Sequence, residues 1–453
     1  MNLHETAMAA EVLRPGDDEY DDAARVFFAT GQPAVVVRPS DPDEVAAALR
    51  YAVRHDLAVS VRSGGHSPLG HSTNTGGMVI DLAHLDAVDV LDAHRGLVRV
   101  GGGATWGQVS AALDPHGWAL TAGDTADVGV GGLTLGGGMG WMVRRHGLAI
   151  DNLVGARVVT ADGRLVTASA DEHSDLFWAL RGGGGNFGVV VDFDFAAQPV
   201  STVHYGTITY QVDDPANLLR RWRNAMRLAP EELSSTLALL PQMPGAPRMA
   251  NVLACYAGGP GSAVTDADAA IEPMLELGTV TQASIAERRY AEILEEAQHP
   301  PAGVRLVARN TLVPTLGDGV IAAIGGLFGT AAPAAVAVRS LGGAFSRVRS
   351  DATAFAHRDA EAMVVGMVIL PETATDEDVE RALVPWRTVA AYGVGTYINF
   401  QGSATDEDVA AAYPPATYAR LAAVKRSYDP GNLFALNHNI DPDPVQRAEG
   451  PAA

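Results

Sequence analysis

The run AVVVRP (34–39) carries four apolar residues in succession and predicts a buried strand. The polar residues behind it open a helix, with Asp41 as N-cap, Pro42 in the first turn and Glu44 as the capping-box acid. Val45, Leu49 and Val53 follow at four-residue spacing and predict one apolar helical stripe. LAVSVR (57–62) is the next strand and runs straight into SGGHS, so a strand–helix–strand unit delivers a glycine-rich turn. MVIDL (78–82) and LVRVGGG (97–103) predict further short strands. Thr105 and Gln108 then form a capping box for a helix carrying Trp106, Val109 and Leu113. VGARVVTADG and LVTASA predict a hairpin through Asp162-Gly163, followed by a short helix DLFWALR, a turn RGGGGNFG and a long strand VVVDFDFAAQPV.

The texture changes near residue 200. Strand-like runs (YGTITYQV, STLALLP, NVLACYA, AMVVGMVI) alternate with helical ones (PANLLRRWRNAMRL, DVERALVPWRTVAA) as far as residue 400. That order predicts an antiparallel sheet covered by helices, an α+β unit. Residues 320–338 form a long uncharged run, but Gly325, Gly326, Gly329 and Pro333 interrupt it, and a helix, a turn and a strand are expected rather than a membrane span. The expected division is 1–202 (core 32–202), 203–410 and 411–453, the last a helix, a YDPGN turn and a short tail.

A chain of 453 residues exceeds what one core supports, in line with that division. With 47% hydrophobic and 19% charged residues it reads as an ordinary globular protein. Its 32 basic and 53 acidic residues give a net charge of −21, which argues against nucleic acid or an anionic membrane as partner. One cysteine, Cys255, excludes an internal disulfide and a thiolate metal cluster. The N-terminal residues lack the basic start and apolar core of a signal peptide, and a cytoplasmic location is expected.

The chemistry concentrates in glycine-rich stretches. Glycines around His66 in VRSGGHSPLGHS let backbone approach a ligand closely, and a phosphate loop, a metal site and a covalent cofactor anchor each account for part of that pattern. Nine glycines between 121 and 152 make a regular helix costly there and predict backbone wrapped around a ligand or another backbone. Gly183, Gly185 and Gly188 match GxGxxG, but they follow a helix and precede a strand, the reverse of a dinucleotide-binding fingerprint. No GxxxxGK[ST] or GxSxG occurs, and His66 and His71 match no common metal-ligand spacing, so no metal is expected. Alone, His66 fits equally well a histidine that hydrogen-bonds a turn.

RSGGHS, GVGGLTLGGGMGWMVRRHGLAIDN, DLFWALRGGGGNFGVV, YINF and RSYDPGNLFALNHNI occur in that order. Together they resemble the berberine bridge enzyme-like branch of the vanillyl-alcohol oxidase/p-cresol methylhydroxylase flavoproteins. The resemblance covers nearly the whole chain and is strongest in 34–200 and 396–441. It implies a two-domain α+β fold with FAD bound by 1–202, substrate by 203–410, and 411–453 returning to the FAD domain. It implies FAD attached covalently through His66, with Arg62, Ser63, Gly64, Gly65 and Ser67 around it. Gly123, Asp124, Val128, Gly129, Gly131, Gly132, Leu133, Gly138, Gly140, Val190, Asn399, Asn437 and Asn439 complete the cofactor-binding set.

Where relatives attach a cysteine to the flavin, this chain has Thr125, so the resemblance implies a single link. Val128 stands at the position associated with oxygen access, and a small residue there implies oxidase behaviour. Leu133 replaces a histidine that several relatives carry. YINF places Tyr397 over the substrate face as candidate base, although a tyrosine packed in a sheet accounts for it too; a free phenol, with a pKa near 10, needs help to act at neutral pH. DATAFAHR (351–358) resembles the strand lining the substrate pocket. It has Ala352 where some relatives have a catalytic glutamate, which leaves Asp351 and His357 as further catalytic candidates; His357-Arg358 equally fits a structural pair between domains. The expected activity is oxidation of a small or medium alcohol, amine or phenol by hydride transfer to flavin N5, with molecular oxygen as acceptor and hydrogen peroxide as product. A dehydrogenase using another acceptor and a non-redox flavin-bearing binding protein are the alternatives. A monomer or homodimer is expected.

Overall fold

The computed structural model describes residues 10–241, 245–299, 301–327 and 334–444. The first nine residues of the segment read for a signal peptide, the turn between 327 and 334, and the C-terminal tail lie outside them.

The N-terminal part holds two small sheets and a two-stranded ribbon, Arg25–Val26 with Ala29–Thr30. In the first, Val35–Arg38, Met78–Asp81 and Val59–Arg62 run parallel, and Glu11–Leu13 adds an antiparallel edge. The helix Pro42–Arg54 crosses between the outer two parallel strands, and Met78–Asp81 fills the gap. Asp41 caps this helix by accepting the Glu44 amide at 2.9 Å. The Glu44 carboxylate reaches Ser40 rather than Asp41, so the expected box is shifted by one residue. Val45 and Leu49 are fully buried, but Val53 is exposed; Ala48 and Ala52 complete the stripe, because each step of four residues drifts about 40° round a helix of 3.6 residues per turn and carries position 53 off the buried face.

The second sheet is five-stranded and antiparallel, in the order Leu165–Ser169, Leu153–Val159, Val189–Ala196, Leu97–Gly101, Val88–Asp92. The hairpin turns at Asp162-Gly163 with Gly163 in a positive-φ conformation, as that dipeptide requires. Thr105 and Gln108 form the expected reciprocal cap, and Trp106, Val109 and Leu113 are buried.

A seven-stranded antiparallel sheet spans Thr202–Pro371, with Val304–Val313 at one edge and Thr279–Arg289 at the other. The helices Pro215–Leu228, Val264–Leu275, Asp318–Leu327 and Asp376–Ala390 bury Trp222, Ile271, Ile324 and Trp386 in a core shared with its strands. The C-terminal helix Pro415–Tyr428 instead joins the N-terminal core through Leu421, Ala422 and Val424. Among the described residues no helix is long and apolar enough to cross a membrane.

Candidate active site

The glycine-rich stretches meet each other. A β-carbon on Gly64 would stand 2.3 Å from the Gly129 nitrogen, and one on Gly129 would stand 2.1 Å from the Gly64 nitrogen. Any side chain at either position would force two backbones apart. Ser63 fastens the pair: its hydroxyl donates to the Gly102 carbonyl at 2.7 Å and accepts the Gly131 amide at 3.2 Å. The stretch does contain short helices, Val143–His146 and the glycine-bearing Val130–Gly136, against the expectation of none. Burial of Val130 and Leu135 offsets the cost of its glycines.

These loops form one wall of a cavity of about 1320 Å³, above the usual ~300–1,000 Å³ of a small-ligand site. Ser63, Gly64, Gly65, His66, Ser67, Gly123, Asp124, Val128, Gly129, Gly131, Gly132, Leu133, Val190, Asn399 and Asn437 line it, and so does Tyr397.

Six expected residues do not. Arg62 is buried behind the turn, donating to the Ala23 carbonyl at 2.6 Å and to Asp81 at 2.5 Å, so it holds the strand in place. Gly138 and Gly140 lie behind the wall; a β-carbon on Gly140 would collide with the Ala122 carbonyl. Asn439 is half-buried outside the lining, with its Oδ1 atom buried. Asp351 is exposed and paired with Arg349 at 2.6 Å. His357 is buried, its Nε2 within 3.0 and 3.1 Å of the Ala411 and Ala412 carbonyls.

Residues 351–358 are turns rather than the expected strand, and they are bound to the N-terminal part. Trp178 Nε1 donates to the Asp351 carbonyl at 2.9 Å, and Arg358 grips Asp151 through two 2.8 Å contacts. Arg358 thus ties this segment to the N-terminal part, His357 is held by the 411–412 backbone, and neither Asp351 nor His357 lines the cavity.

His66 sits in a built surround. Its Nε2 is 3.2 Å from Asp127 Oδ2, and its ring stacks on Phe27, which stacks in turn on His299. Burial pushes its pKa below the ordinary value, and Asp127 pulls only partly against that, so the ring is neutral near pH 7. His71 is pushed down to about 4 by burial and by nearby His438.

Tyr397 is 1% exposed, and its phenol oxygen accepts the Gly138 amide at 3.0 Å and the Asn399 amide at 2.8 Å. Burial pushes the phenol up to about 12, against the pull of those two donors and of Arg339. Arg339 reaches from the large sheet to pair with Asp124 and donates to the Met139 carbonyl at 2.8 Å.

Asp127, Phe27, His438 and Arg339 were not singled out from the sequence, and His71 was weighed there only as a metal ligand. Only His438 carried a signal, lying between Asn437 and Asn439 in FALNHNI. Cys255 is fully buried, as a small apolar residue would be.

The cavity suits a long cofactor with both polar and apolar parts. Among the described residues, Asn437 Oδ1 and His438 Nε2 are buried at its wall with no hydrogen-bond partner, a cost that a bound polar group would relieve. A β-carbon added at Gly132 or Gly185 meets nothing within 4 Å, while Val59, Val61 and Leu82 supply apolar wall.

Comparison with known proteins agrees. The family described as FAD binding domain matches residues 33–169, and the family described as berberine and berberine like matches residues 396–441. The chain is 31% identical to (R)-6-hydroxynicotine oxidase of Paenarthrobacter nicotinovorans, across 96% of this chain and 98% of that one. The crystal structure of 6-hydroxy-D-nicotine oxidase from Arthrobacter nicotinovorans superposes with a TM-score of 0.86 at 29% identity, covering 98% of this chain and 100% of that one. Glucooligosaccharide oxidase from Acremonium strictum, with its 6-S-cysteinyl, 8α-N1-histidyl FAD, gives 0.83 at 25% identity over 96% and 97%.

Fold and cavity together define a two-domain flavoprotein oxidoreductase of the vanillyl-alcohol oxidase/p-cresol methylhydroxylase type. The chain belongs to the berberine bridge enzyme-like family of FAD-linked oxidases.

Proposed function

We propose that this enzyme holds FAD covalently on His66 and oxidises a small or medium organic molecule beside Tyr397, with molecular oxygen as electron acceptor. The observation that carries this reading is that His66 and Tyr397 line one cavity although they come from opposite ends of the chain. When bound, FAD supplies a hydride acceptor at N5 and passes the electrons to dioxygen, giving hydrogen peroxide.

The chain's own residues supply the rest. His66 holds the cofactor through a neutral imidazole. Thr125 offers no thiol, so attachment is single. Val128, at the cavity wall, is small enough to leave an approach for oxygen. The polar groups at Asn399 and Asn437, together with the exposed glycine backbone, meet the polar parts of the cofactor. Tyr397 already accepts two hydrogen bonds at its oxygen, so the proton it can offer is its own. As a neutral phenol it orients a substrate hydroxyl or amine by donation. When it gives up that proton, the Gly138 and Asn399 donors hold the charge.

The test is a panel of secondary alcohols, amines, sugars and phenols mixed anaerobically with the FAD-loaded enzyme, followed by admission of air. Bleaching of the flavin absorbance by one class, then peroxide release, is expected. Bleaching that only a dye reverses identifies a dehydrogenase. No bleaching by any class, with native substrates of relatives included, counts against an oxidative role.

A further inference from the structure

Asp127 stands beside His66, and its carboxylate is engaged at both oxygens. Oδ1 accepts the Ala297 amide at 2.9 Å, and Oδ2 lies 3.2 Å from His66 Nε2. The loop carrying it is tied down next door, where the Ala126 amide donates to the Glu295 carbonyl at 2.8 Å. Phe27 stacks on the imidazole at 4.6 Å and restrains its plane.

A carboxylate can only accept hydrogen bonds, so the His66 nitrogen facing it carries the hydrogen. In a neutral ring the lone pair then resides on Nδ1. We infer that Asp127 is the positioning residue for cofactor attachment: it holds the Nε2–H tautomer of His66, leaves Nδ1 as the nucleophile, and accepts the Nε2 proton as the bond forms. This rests on the reading that FAD is held on His66.

The step balances. A bond forms between Nδ1 and the flavin 8α carbon, while one C–H bond of that methyl group and the Nε2–H bond break. The two hydrogens and the electron pair of the C–H bond leave with dioxygen as hydrogen peroxide. The Asp127 side chain is 39% exposed, so a proton it takes passes on to water. A positioned base of this kind contributes about 100-fold or more in rate.

The test follows covalent flavin in the purified full-length enzyme, incubated with excess FAD in air and sampled by acid precipitation. Wild type should retain flavin in the precipitate on the peptide containing residue 66, and His66→Ala should not. Asp127→Asn, with total bound flavin near wild type, should attach it roughly 100-fold more slowly. Formate added to Asp127→Ala should restore part of the rate, which a merely structural role would not allow. Attachment in Asp127→Asn within about threefold of wild type overturns the proposal while leaving His66 as anchor. Wild type with only free FAD overturns the anchor itself. A measurement independent of variant folding is the attachment nitrogen in the isolated wild-type flavinyl peptide, by NMR: Nδ1 supports the role of Asp127, and Nε2 overturns it.

Discussion

The Tyr397 hydroxyl accepts a hydrogen bond from the Gly138 amide at 3.0 Å, across 259 positions of sequence. The contact joins the residue before the Ile398–Phe400 turn to the glycine run just after the helix Val130–Gly136. A second donor, Asn399, fills a space that only a glycine at 136 leaves open, since a β-carbon there would stand 2.1 Å from its side-chain oxygen. Replacing Tyr397 with Phe keeps the ring and its packing on Phe355 and Phe400. It strands one backbone amide, at a cost of about 1–3 kcal/mol. Flavin content should survive, and anaerobic flavin reduction by substrate should slow by roughly 100-fold or more. A change within about threefold in stopped-flow reduction would leave Tyr397 as packing alone.

What was legible in the sequence was what local chemistry dictates. The caps at Asp41 and Thr105, the Asp162-Gly163 turn and the alternation of strands and helices after residue 200 follow from backbone preferences alone. The glycine-rich loops announced a close approach, but not that Gly64 and Gly129 approach one another. The misplacements share a cause. Arg62, Asp351 and His357 are polar residues next to site segments, and whether such a side chain faces the ligand or braces the fold depends on partners distant in sequence. Asp81 claims Arg62, and the 411–412 carbonyls claim His357. Asp127 went unnoticed for the same reason: its importance comes from His66, far away along the chain.

Val128 stands at the cavity wall two residues before the helix Val130–Gly136. Leucine there adds one methylene at a position already packed against the core. The re-oxidation of substrate-reduced enzyme by dissolved oxygen should slow, while anaerobic reduction by substrate changes little. Mixing reduced wild type and Val128→Leu with air-saturated buffer in a stopped-flow instrument measures this. Equal re-oxidation rates would remove Val128 from the oxygen path.

His146 Nε2 is buried without a partner among the described residues, and burial, aided by the Arg145 charge, lowers the ring's pKa to about 4 from an ordinary 6.5. Between those values the unfolded chain binds a proton that the folded one refuses, so stability falls as pH falls from about 6.5 to about 4. His71, also lowered to about 4, acts in the same direction and window. Each contributes a loss on the order of 3 kcal/mol across that window. His146→Leu should therefore lose less stability between pH 7 and pH 4.5 than wild type does, as read from urea midpoints. Parallel pH profiles would exclude His146 as a contributor.

Lys425 and Asp429 form an ion pair at 2.8 Å in which both side chains are wholly buried. The lysine ammonium has three donors, and all are used: Asp429, the Asn186 carbonyl at 2.8 Å and the Phe434 carbonyl at 3.0 Å. Asp429 in turn accepts the Leu433 and Phe434 amides at 2.8 and 2.9 Å. The pair thus fastens the C-terminal helix, the glycine turn around Asn186 and the chain leading to Asn437 and His438 at the cavity wall. Such a pair adds little net stability, because desolvation offsets its attraction, yet removing one partner leaves a buried charge. Lys425→Met should cost about 3–5 kcal/mol by that reasoning. Adding Asp429→Asn should recover part of the loss by discharging the orphaned carboxylate while one of its backbone contacts survives. Thermal unfolding of the two variants checks the stability, and the change in fluorescence of the bound flavin on mild heating, as its site opens, checks the coupling to the cavity. A Lys425→Met protein as stable as wild type, or one destabilised with no earlier change in flavin fluorescence, would show that the pair does not brace the cofactor wall.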